Sequence, residues 1–568
     1  MNVTGLDLLP LLSDRDPDAP LAWRAGVPVS AREFLADVAR LAPQLPEGGP
    51  VVNLCTDRYA FALGLAAALV RGQASLLPPD ARADTLARLV EPDGRTYALL
   101  DDPQVATPGM PRVLVEHRAP PDASGAHDVV PQIEAGLHAV SLLTSGSTGA
   151  PQPHAKSWST LVGDVAAAVA RLAELLGRPS LAGLTLVATV PVQHSYGLES
   201  SALLAMLGGA AFDSGRPFFP ADVVQALASV PQPRALVTTP FHLKTLLLSG
   251  MALPPVDLIL SATAPLSPQL AAQAEQAMGG QLIEIYGSTE SGQVATRRPT
   301  RSEVWETFGE IRVHAEHDDA GAERFVFEGD FVPEPTPMAD VLELLDDRRF
   351  RLLGRANDLI HVAGRRSSLG YLNHHLNSIP GVEDGAFWLP DDVTDGVVRP
   401  VAFVVAPTLD AHAIVAALRE RLEAVFVPRR VVHVNAFPRE GTGKLTVRAL
   451  REFALAQLAA DGTPVQLTHE VPADHPVFAG HFPGQPLLPG ALLLSEVLEA
   501  ARRVPALSAR LGPRPTLAAA KFLAPVRPGS LLHIDLTPES GTSRGLRFEV
   551  RVAEVVAASG RWTPGGEP

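Results

Sequence analysis

A run of hydroxyl residues and glycines follows an apolar, strand-like segment, residues 139–143. Its members are Thr144, Ser145, Gly146, Ser147, Thr148 and Gly149. Glycines allow a tight turn that exposes backbone N–H groups, and the hydroxyls add further donors. Such donors can surround the oxygens of a polyphosphate, although a Ser/Gly linker has a similar composition. The run is not a P-loop, because no Lys-Ser/Thr pair follows its second glycine.

Further candidate groups occur in four later segments. These are Glu284-Ile-Tyr-Gly-Ser-Thr-Glu290, Asp340, Gly354-Arg-Ala-Asn-Asp-Leu-Ile-His-Val-Ala-Gly-Arg-Arg366 and Pro438-Arg-Glu-Gly-Thr-Gly-Lys-Leu445. Taken singly, each has an ordinary structural interpretation. Asp340 could cap a turn, Arg355 could be a solvated cation, and Lys444 could be a surface lysine. The order of the five segments along the chain is what favours a functional interpretation.

In this order the segments resemble the motifs of the acyl-adenylate-forming superfamily, which includes acyl-CoA synthetases, aryl-CoA ligases, nonribosomal adenylation domains and luciferases. The resemblance spans about residues 20–455. It implies that a carboxylate reacts with ATP to give an acyl-adenylate and pyrophosphate, and that the acyl group then passes to a thiol. ATP and Mg²⁺ are the implied cofactors.

The resemblance also assigns roles to individual residues. The Thr144–Gly149 run would hold the β- and γ-phosphates, and Thr289 would contact the α-phosphate. Glu290 would hold Mg²⁺, which prefers carboxylate and phosphate oxygens. The remaining nucleotide contacts would come from Ala264, Tyr286, Gly287, Asp340 and Arg355, with Asp340 and Arg355 at the ribose. Lys444 would reach in as a mobile charge that bridges the acyl and phosphate oxygens.

The sequence departs from the family pattern at two positions of these segments. Gln152 stands where a lysine usually follows the proline of the phosphate loop. Lys156 lies four residues further on, where it either supplies the missing charge or is simply solvated. Asn357 occupies the hinge position, at which an aspartate or lysine is more usual.

The acid substrate is expected to bind beside Gln193-His-Ser-Tyr-Gly197, which follows a buried strand and Pro191. In the family this motif borders the acyl pocket, so His194, Tyr196 and Gly197 are candidate substrate contacts. His194 could instead be a satisfied buried histidine. His242 is a further candidate, and the segment Ser261–Pro265 is expected at the adenine slot. These residues leave open whether the acid is an aryl acid or a fatty acid.

A phosphopantetheine thiol is the implied acceptor. No Gly-x-Asp-Ser-Leu carrier motif occurs in the sequence. The thiol is therefore expected on a separate acyl carrier protein or on coenzyme A.

The C-terminal segment 466–568 resembles the hotdog-fold 3-hydroxyacyl carrier-protein dehydratases. The resemblance rests on Asp474–Gly490, rich in Gly and Pro, and on Lys521–Gly529. His481 corresponds to the histidine that removes the α-proton. The acid that protonates the leaving hydroxyl should fall at Ser495, and Glu496 follows it. One helical step turns a side chain by about 100°, so Glu496 is expected to face elsewhere unless the register shifts. The module is then a dehydratase, a thioesterase, or an inactive acyl-binding or dimerising unit.

The pattern of apolar residues predicts the strands and helices that position these groups. Strand-like runs such as Tyr97–Leu100 and helical segments such as Pro268–Met278 alternate in the N-terminal part. This alternation predicts a layered α/β domain. The predicted organisation is an adenylate-forming domain (residues 1–354), a small mobile α+β subdomain (355–453), a linker (454–468) and an α+β hotdog domain (469–568).

Composition limits the class of protein. The chain has 568 residues, of which 46 % are apolar and 19 % charged, a balance typical of folded domains. Its formal charge of −15 argues against non-specific binding to nucleic acid. The single cysteine, Cys55, excludes an internal disulfide and a cysteine-rich metal site.

Localisation and assembly follow as expectations. The first residues carry acids where a signal peptide needs a basic start. The longest apolar stretches, such as Phe61–Val70, are shorter than the ~18 residues that a membrane span needs. We therefore predict a cytoplasmic protein without a membrane span. Because hotdog domains bury their helices by pairing, we also predict a homodimer that forms through that domain.

The combination of a ligase with a dehydratase-like module is similar to ligases of bacterial aryl-polyene and xanthomonadin-type pigment pathways. This similarity favours an aryl acid such as a hydroxybenzoate, with transfer to an acyl carrier protein. A medium- or long-chain fatty acyl-CoA ligase is the nearest alternative. A third possibility is a noncatalytic acyl-binding scaffold. The departures from the family patterns at Gln152, Asn357 and Ser495 would favour it.

Overall fold

The protein is described by a computed structural model. It covers residues 7–78, 80–90, 94–117, 129–145, 151–263, 266–317, 323–355, 359–362, 365–390, 400–439, 445–460, 465–479, 485–539, 545–553 and 555–564. The chain divides into two compact units, Met1–Asn357 and Asp358–Pro568. The predicted α/β pattern is found in the first unit.

A six-stranded sheet forms the N-terminal part of the first unit. Its strands, in spatial order, are Pro151–Ser157, His138–Ser145, Ser75–Leu77, Val51–Asn53, Tyr97–Leu100 and Arg112–Leu114. All neighbours are parallel except the first pair, which is antiparallel. The strand predicted over residues 139–143 is therefore present and extends to Ser145.

An eleven-stranded sheet forms the rest of this framework. Its order is Asp340–Leu344, Arg349–Arg355, Trp305–Thr307, Gly292–Arg297, Gln281–Ser288, Leu258–Ser261, Arg234–Thr238, Thr185–Ala188, Ala211–Asp213, Pro20–Arg24 and Val27–Ser30. The six strands from Gln281–Ser288 to Pro20–Arg24 are parallel. Three central strands of this group are buried at every position, as expected for parallel strands covered on both faces.

Helices cover these sheets and start at recognisable caps. Their bounds are Ala31–Leu41, Arg58–Val70, Ala83–Ala87, Trp158–Leu176, Ser195–Gly197, Leu204–Gly208, Pro220–Ser229, Pro240–Leu248 and Pro268–Met278. A π-helical turn, Leu198–Leu203, joins two of them. The helix Pro268–Met278 has the predicted bounds, because Ser267 caps its first turn and Gly279 ends it in a left-handed conformation.

Two smaller sheets complete the first unit. Leu8–Pro10 pairs with Gln132–Glu134. Arg312–His317, Glu323–Gly329 and Val332–Met338 form a three-stranded sheet.

The second unit begins with small strand pairs and short helices. The strands are Leu359–Val362 with Arg365–Ser368, and Asp384–Trp388, Val401–Val405 and Val431–His433. The helices are Leu369–Asn377, Ala411–Arg419 and Val447–Ala460. The strand Val401–Val405 has the predicted bounds.

The C-terminal part of the second unit is a five-stranded antiparallel sheet with helices. The strand order is Val465–Glu470, Leu531–Pro538, Leu546–Val552, Val555–Thr563 and Thr516–Phe522. The helices are Gly490–Arg502 and Pro505–Leu511. Leu493 and Val497 of the longer helix are buried in one apolar cluster with Leu532 and Ile534 of the sheet. The strands Leu546–Val552 and Val555–Thr563 are separate because the chain turns at Ala553, which has φ +50°.

The segment 454–468, predicted as a linker, is largely regular structure. The helix Val447–Ala460 covers its first part, and the strand Val465–Glu470 covers its end. Ala454, Leu455 and Leu458 lie on one helical face and are buried, which accounts for the ordered structure. Among the described residues, none of the helices combines the length and the apolarity needed to cross a membrane.

Candidate functional site

Several of the candidate residues in the first unit follow the parallel strands of the eleven-stranded sheet. The motif of His194 follows Thr185–Ala188, His242 follows Arg234–Thr238, and Thr289 lies just beyond Gln281–Ser288. Parallel neighbours end at the same edge of a sheet, and ligands bind at that edge in open α/β folds. The topology therefore gathers these segments at one edge.

Tyr286 and Asp340 are in direct contact. The Tyr286 hydroxyl donates a hydrogen bond to Asp340 Oδ2 at 2.8 Å. The Tyr286 ring is held by Trp305 and Phe350, each with its ring centroid 5.5 Å away. Asp340 pairs across two antiparallel strands with Arg355. Three predicted nucleotide residues, far apart in the chain, thus share one location.

The turn after Tyr286 carries Thr289 and Glu290. A β-carbon added at Gly287 would lie 2.1 Å from the carbonyl oxygen of Gly292, so only glycine fits there. The backbone N–H groups of Ser288 and Ser291 each donate to the other's hydroxyl at 3.1 Å. These contacts hold the turn in one conformation. We call residues 287–292 the glutamate turn.

The glutamate turn offers one carboxylate to a cation. The Glu290 side chain is half-exposed, and His154 Nε2 lies 3.6 Å from its Oε1. A single accessible carboxylate beside a phosphate site suits Mg²⁺, which usually takes one or two carboxylates together with phosphate oxygens. The described residues contain no cluster of three or more His, Cys, Asp or Glu that could hold a metal without such a substrate.

Lys156 differs from both of its sequence interpretations. It is neither solvated nor directed toward a phosphate, because its side chain is 6 % exposed and its ammonium donates to the backbone carbonyl of Glu290. Asp164 and Glu199 are buried beside it. The antiparallel pairing of Pro151–Ser157 with His138–Ser145 brings Lys156 beneath the glutamate turn.

The acid-pocket candidates surround the ends of two neighbouring strands. A β-carbon at Gly197 would come 1.9 Å from the Pro191 carbonyl oxygen, so this turn requires glycine. The Tyr196 hydroxyl donates to the Thr238 carbonyl at 3.1 Å. His242 Nδ1 lies 3.1 Å from the Thr239 hydroxyl, whereas the buried His242 Nε2 has no hydrogen-bond partner among the residues that the structure describes.

Arg216 is a functional candidate that the sequence interpretation missed. It follows the strand Ala211–Asp213, and its charge is close enough to lower the pKa values of both His194 and His242, although burial is the larger cause. Arg216 is exposed to solvent, and partial burial lowers its pKa. The ring of Phe218 lies 5.2 Å from that of His242. No local pattern in the sequence distinguishes Arg216 from a surface arginine.

Arg58 was also missed, and it holds the acid-pocket segments together. It is fully buried at the start of an apolar helix. Its guanidinium donates to the carbonyls of Val190 at 2.9 Å and Gly215 at 2.7 Å. One side chain therefore ties the segment before His194 to the segment that carries Arg216. A lone arginine in an otherwise apolar helix was the available signal.

In the C-terminal part, Glu496 lies 3.0 Å from Nε2 of His469. His469 belongs to the edge strand Val465–Glu470, and Glu496 to the helix Gly490–Arg502. Ser495, at the predicted acid position, is exposed. His469 was not singled out from the sequence, since no motif of the segment includes it.

Several predicted residues lie outside the described part of the chain. They are Gly146, Ser147, Thr148, Gly149, Ala264, Asn357, Lys444 and His481, together with the side chains of Thr144, Ser145 and Arg355. Their roles stay predictions.

Comparison with protein families gives three matches. The AMP-binding enzyme model matches residues 17–316, and the model of the AMP-binding enzyme C-terminal domain matches residues 374–444. The ApeI dehydratase model of the ApeI-like family matches residues 457–561. The predicted fold class, an adenylate-forming α/β region followed by a dehydratase-like hotdog domain, is confirmed.

Individual proteins agree with these matches. A 4-coumarate–CoA ligase of Rhodobacter capsulatus is 32 % identical over 305 residues, covering 53 % of this chain and 73 % of that protein. A 2,3-dihydroxybenzoate-AMP ligase of Bacillus subtilis is 31 % identical over 176 residues, 30 % of each chain. The ATP-bound structure of MatB from Rhodopseudomonas palustris superposes with a TM-score of 0.62 at 18 % identity, covering 78 % of this chain and 97 % of that one. At that identity the structure supports the fold alone.

Proposed function

Because the chain belongs to the AMP-binding enzyme family, we propose that it is an AMP-forming acid–thiol ligase that activates a carboxylic acid, favoured to be an aryl acid, and transfers it to a phosphopantetheine thiol. The observation that carries the proposal is the meeting of Tyr286 with Asp340 at the same sheet edge as the glutamate turn. The proposed nucleotide residues Tyr286 and Asp340, the proposed Mg²⁺ ligand Glu290 and the proposed acid-pocket segments support this function by their positions in the same sheet.

The first half-reaction needs positioning rather than a general base. A carboxylate oxygen attacks the α-phosphorus of ATP, the bond to the bridging oxygen breaks, and pyrophosphate leaves. Since the carboxylate is already a nucleophile, the protein must bring two anions together and offset the charge that builds on the α-phosphate. In the second half-reaction the thiol sulfur attacks the acyl carbon, AMP leaves, and the thiol proton passes to solvent.

The described residues fit these tasks. The Asp340 carboxylate accepts a hydrogen bond from Tyr286 through Oδ2, and it would also accept one from a ribose hydroxyl. Thr289 would donate to the α-phosphate from the glutamate turn, and Glu290 would hold Mg²⁺, which neutralises phosphate charge when bound. The Thr144–Gly149 run and Lys444 are proposed as further phosphate contacts.

The acid pocket supports a polar aryl acid. Phe218 and His242 offer ring surfaces, and the lowered pKa values of His194 and His242 keep both imidazoles neutral at pH 7. Neutral imidazoles and the guanidinium of Arg216 can hydrogen-bond a ring hydroxyl or its phenolate. An alkyl chain would leave these polar groups without partners. The relatives that act on coumarate and dihydroxybenzoate support the same choice.

A pyrophosphate-release assay over benzoate, hydroxybenzoates, 4-coumarate, octanoate and palmitate tests the proposal. We expect a hydroxyaryl acid to give the highest kcat/KM. Replacing Arg216 with Gln should lower kcat/KM for that acid by about tenfold, since a hydrogen bond to a charged group contributes about 1.5 kcal/mol or more. The value for unsubstituted benzoate should hardly change.

The control for this experiment is Arg301→Gln, a change at an exposed arginine outside the pocket. Preference for octanoate or palmitate would instead favour the fatty acyl-CoA alternative. If none of the acids in the panel caused pyrophosphate release, the result would favour the noncatalytic scaffold.

The acceptor is proposed to be an acyl carrier protein. The C-terminal ApeI-like domain supports this choice, because 3-hydroxyacyl dehydratases of this type act on chains held by a carrier. Coenzyme A remains the alternative, and adding either acceptor to the assay distinguishes them.

We propose that the C-terminal domain dehydrates a 3-hydroxyacyl thioester with His481 as base and Glu496 as acid.

The hotdog domain is proposed to pair with a second copy of the chain. Thr516–Phe522 is an edge strand, so one row of its backbone hydrogen-bonding groups lacks a strand partner among the described residues of the domain. Phe522 and Leu523 are 52 % and 62 % exposed beside it. We expect a dimer in sedimentation velocity and a largely monomeric Leu523→Lys variant, because a charge would be buried at the interface. Val27→Lys, at an equally exposed valine of the first unit, is the control; a monomeric wild-type protein would refute the proposal.

A further inference from the structure

Three ionisable side chains are buried together beneath the glutamate turn. Lys156 is 6 % exposed, and Asp164 and Glu199 are each 2 % exposed. They come from the strand after the predicted phosphate loop, from the helix Trp158–Leu176, and from the π-helical turn after the acid-pocket motif. Burying a charged group costs free energy unless other charges or hydrogen bonds compensate it, so a buried cluster of three ionisable groups indicates a specific structural role.

The cluster contacts the turn at two points. The Lys156 ammonium donates to the carbonyl of Glu290, across a sequence separation of 134 residues. Asp164 Oδ2 accepts from the backbone N–H of Gln293 at 3.4 Å, and a β-carbon at Gly292 would lie 2.6 Å from that oxygen. The turn therefore rests directly on the cluster.

The third member links the cluster to the acid pocket. The hydroxyl of Ser195 donates to Glu199 Oε1 at 2.7 Å. Ser195 lies between His194 and Tyr196 in the pocket motif. A single network thus joins the pocket segment to the segment that carries Glu290.

The charges of the cluster are roughly balanced. Burial raises the pKa of both carboxyls, to about 7 for Glu199. The pair therefore carries fewer than two negative charges at neutral pH, opposite one ammonium. Burial also lowers the pKa of Lys156, and the nearby acids oppose that shift.

We infer that Lys156 is a positioning residue: its ammonium, buried near Asp164 and Glu199, donates to the Glu290 carbonyl and so fixes the glutamate turn, with Thr289 and Glu290 placed to meet Mg²⁺ and the α-phosphate of ATP. This inference rests on the proposed ligase function. It differs from the role of a phosphate-loop lysine, because the ammonium contacts a backbone carbonyl and not the substrate.

The test is Lys156→Met, which keeps the length of the side chain and removes its charge and donors. Hydrogen–deuterium exchange without nucleotide should be faster at residues 287–293 by about tenfold, as expected for loss of one hydrogen bond to a charged group. The concentration of Mg²⁺ for half-maximal ATP binding should rise by a similar factor, whereas the KM for the acid should change little.

Two further variants sharpen the test. Arg301→Met, at an exposed arginine of the first unit away from the glutamate turn, is the matched control and should behave as wild type. If Lys156→Met does not fold, Lys156→Met combined with Glu199→Gln removes one buried acid with the ammonium and permits the same measurements. In either variant, wild-type exchange at residues 287–293 together with wild-type Mg²⁺ dependence would overturn the inference. The exchange measurement needs no substrate, so it decides the role of Lys156 even if the wild-type protein releases no pyrophosphate with any acid.

Discussion

Replacing Lys444 with alanine should slow adenylate formation by about 10²–10³-fold, the usual cost of removing one group that stabilises transition-state charge. Transfer of a preformed acyl-adenylate to the thiol should stay near the wild-type rate. The reason is that the ammonium offsets charge only while the α-phosphate is under attack. The predicted mobile subdomain would then rotate and carry Lys444 away before the thiol enters.

The two half-reactions must be measured separately. Pyrophosphate exchange with the preferred acid reports the first, and thioester formation from synthetic acyl-AMP reports the second. Arg448→Ala is the matched control, because Arg448 is an exposed cation four residues from Lys444. Equal losses in both half-reactions would argue against a role confined to adenylation.

The second large effect is expected in the C-terminal domain. His481→Ala and Glu496→Gln should each lower dehydration of a 3-hydroxyacyl carrier-protein thioester by about 10²–10⁴-fold, since proton transfer by a positioned side chain contributes that much. Ser495→Ala should leave turnover unchanged. Glu496 is favoured over Ser495 because a carboxyl can protonate a leaving hydroxyl, and because its contact with His469 at 3.0 Å fixes its orientation.

Ser495→Ala is a stringent control, since it changes the adjacent residue of the same helix. Turnover can be followed by mass spectrometry as loss of water from the acyl chain. An inactive wild-type domain would leave acyl binding or dimerisation as its role. If Ser495→Ala lowered the dehydration rate as much as Glu496→Gln does, the result would contradict the role of Glu496 as the acid.

Many element bounds were predictable because local residues determine them. Tyr97–Leu100 is an apolar run with all four residues buried, and it is a strand at the predicted bounds. Pro268–Met278 carries its own start and stop signals. The prediction of a linker over residues 454–468 did not anticipate the ordered helix there. Ala454, Leu455 and Leu458 on one face of that helix are buried in the core, and composition alone does not indicate this burial.

The family and the order of its motifs were evident in the sequence, because catalytic groups and the glycines of tight turns tolerate few substitutes. The role of Lys156 was not evident, since a lysine after a phosphate loop is compatible with phosphate binding, with solvation and with burial. Only the strand pairing and the nearby acids select burial.

By itself, the sequence indicated the kind of chemistry, through residue types at fixed spacings, and the positions of many helices and strands, through local periodicity. The tertiary structure alone decided which distant groups meet: Tyr286 with Asp340, and Lys156 with the glutamate turn. Such contacts depend on how strands are ordered in a sheet and on which charges share a buried space. Neither property is encoded in a local stretch of chain.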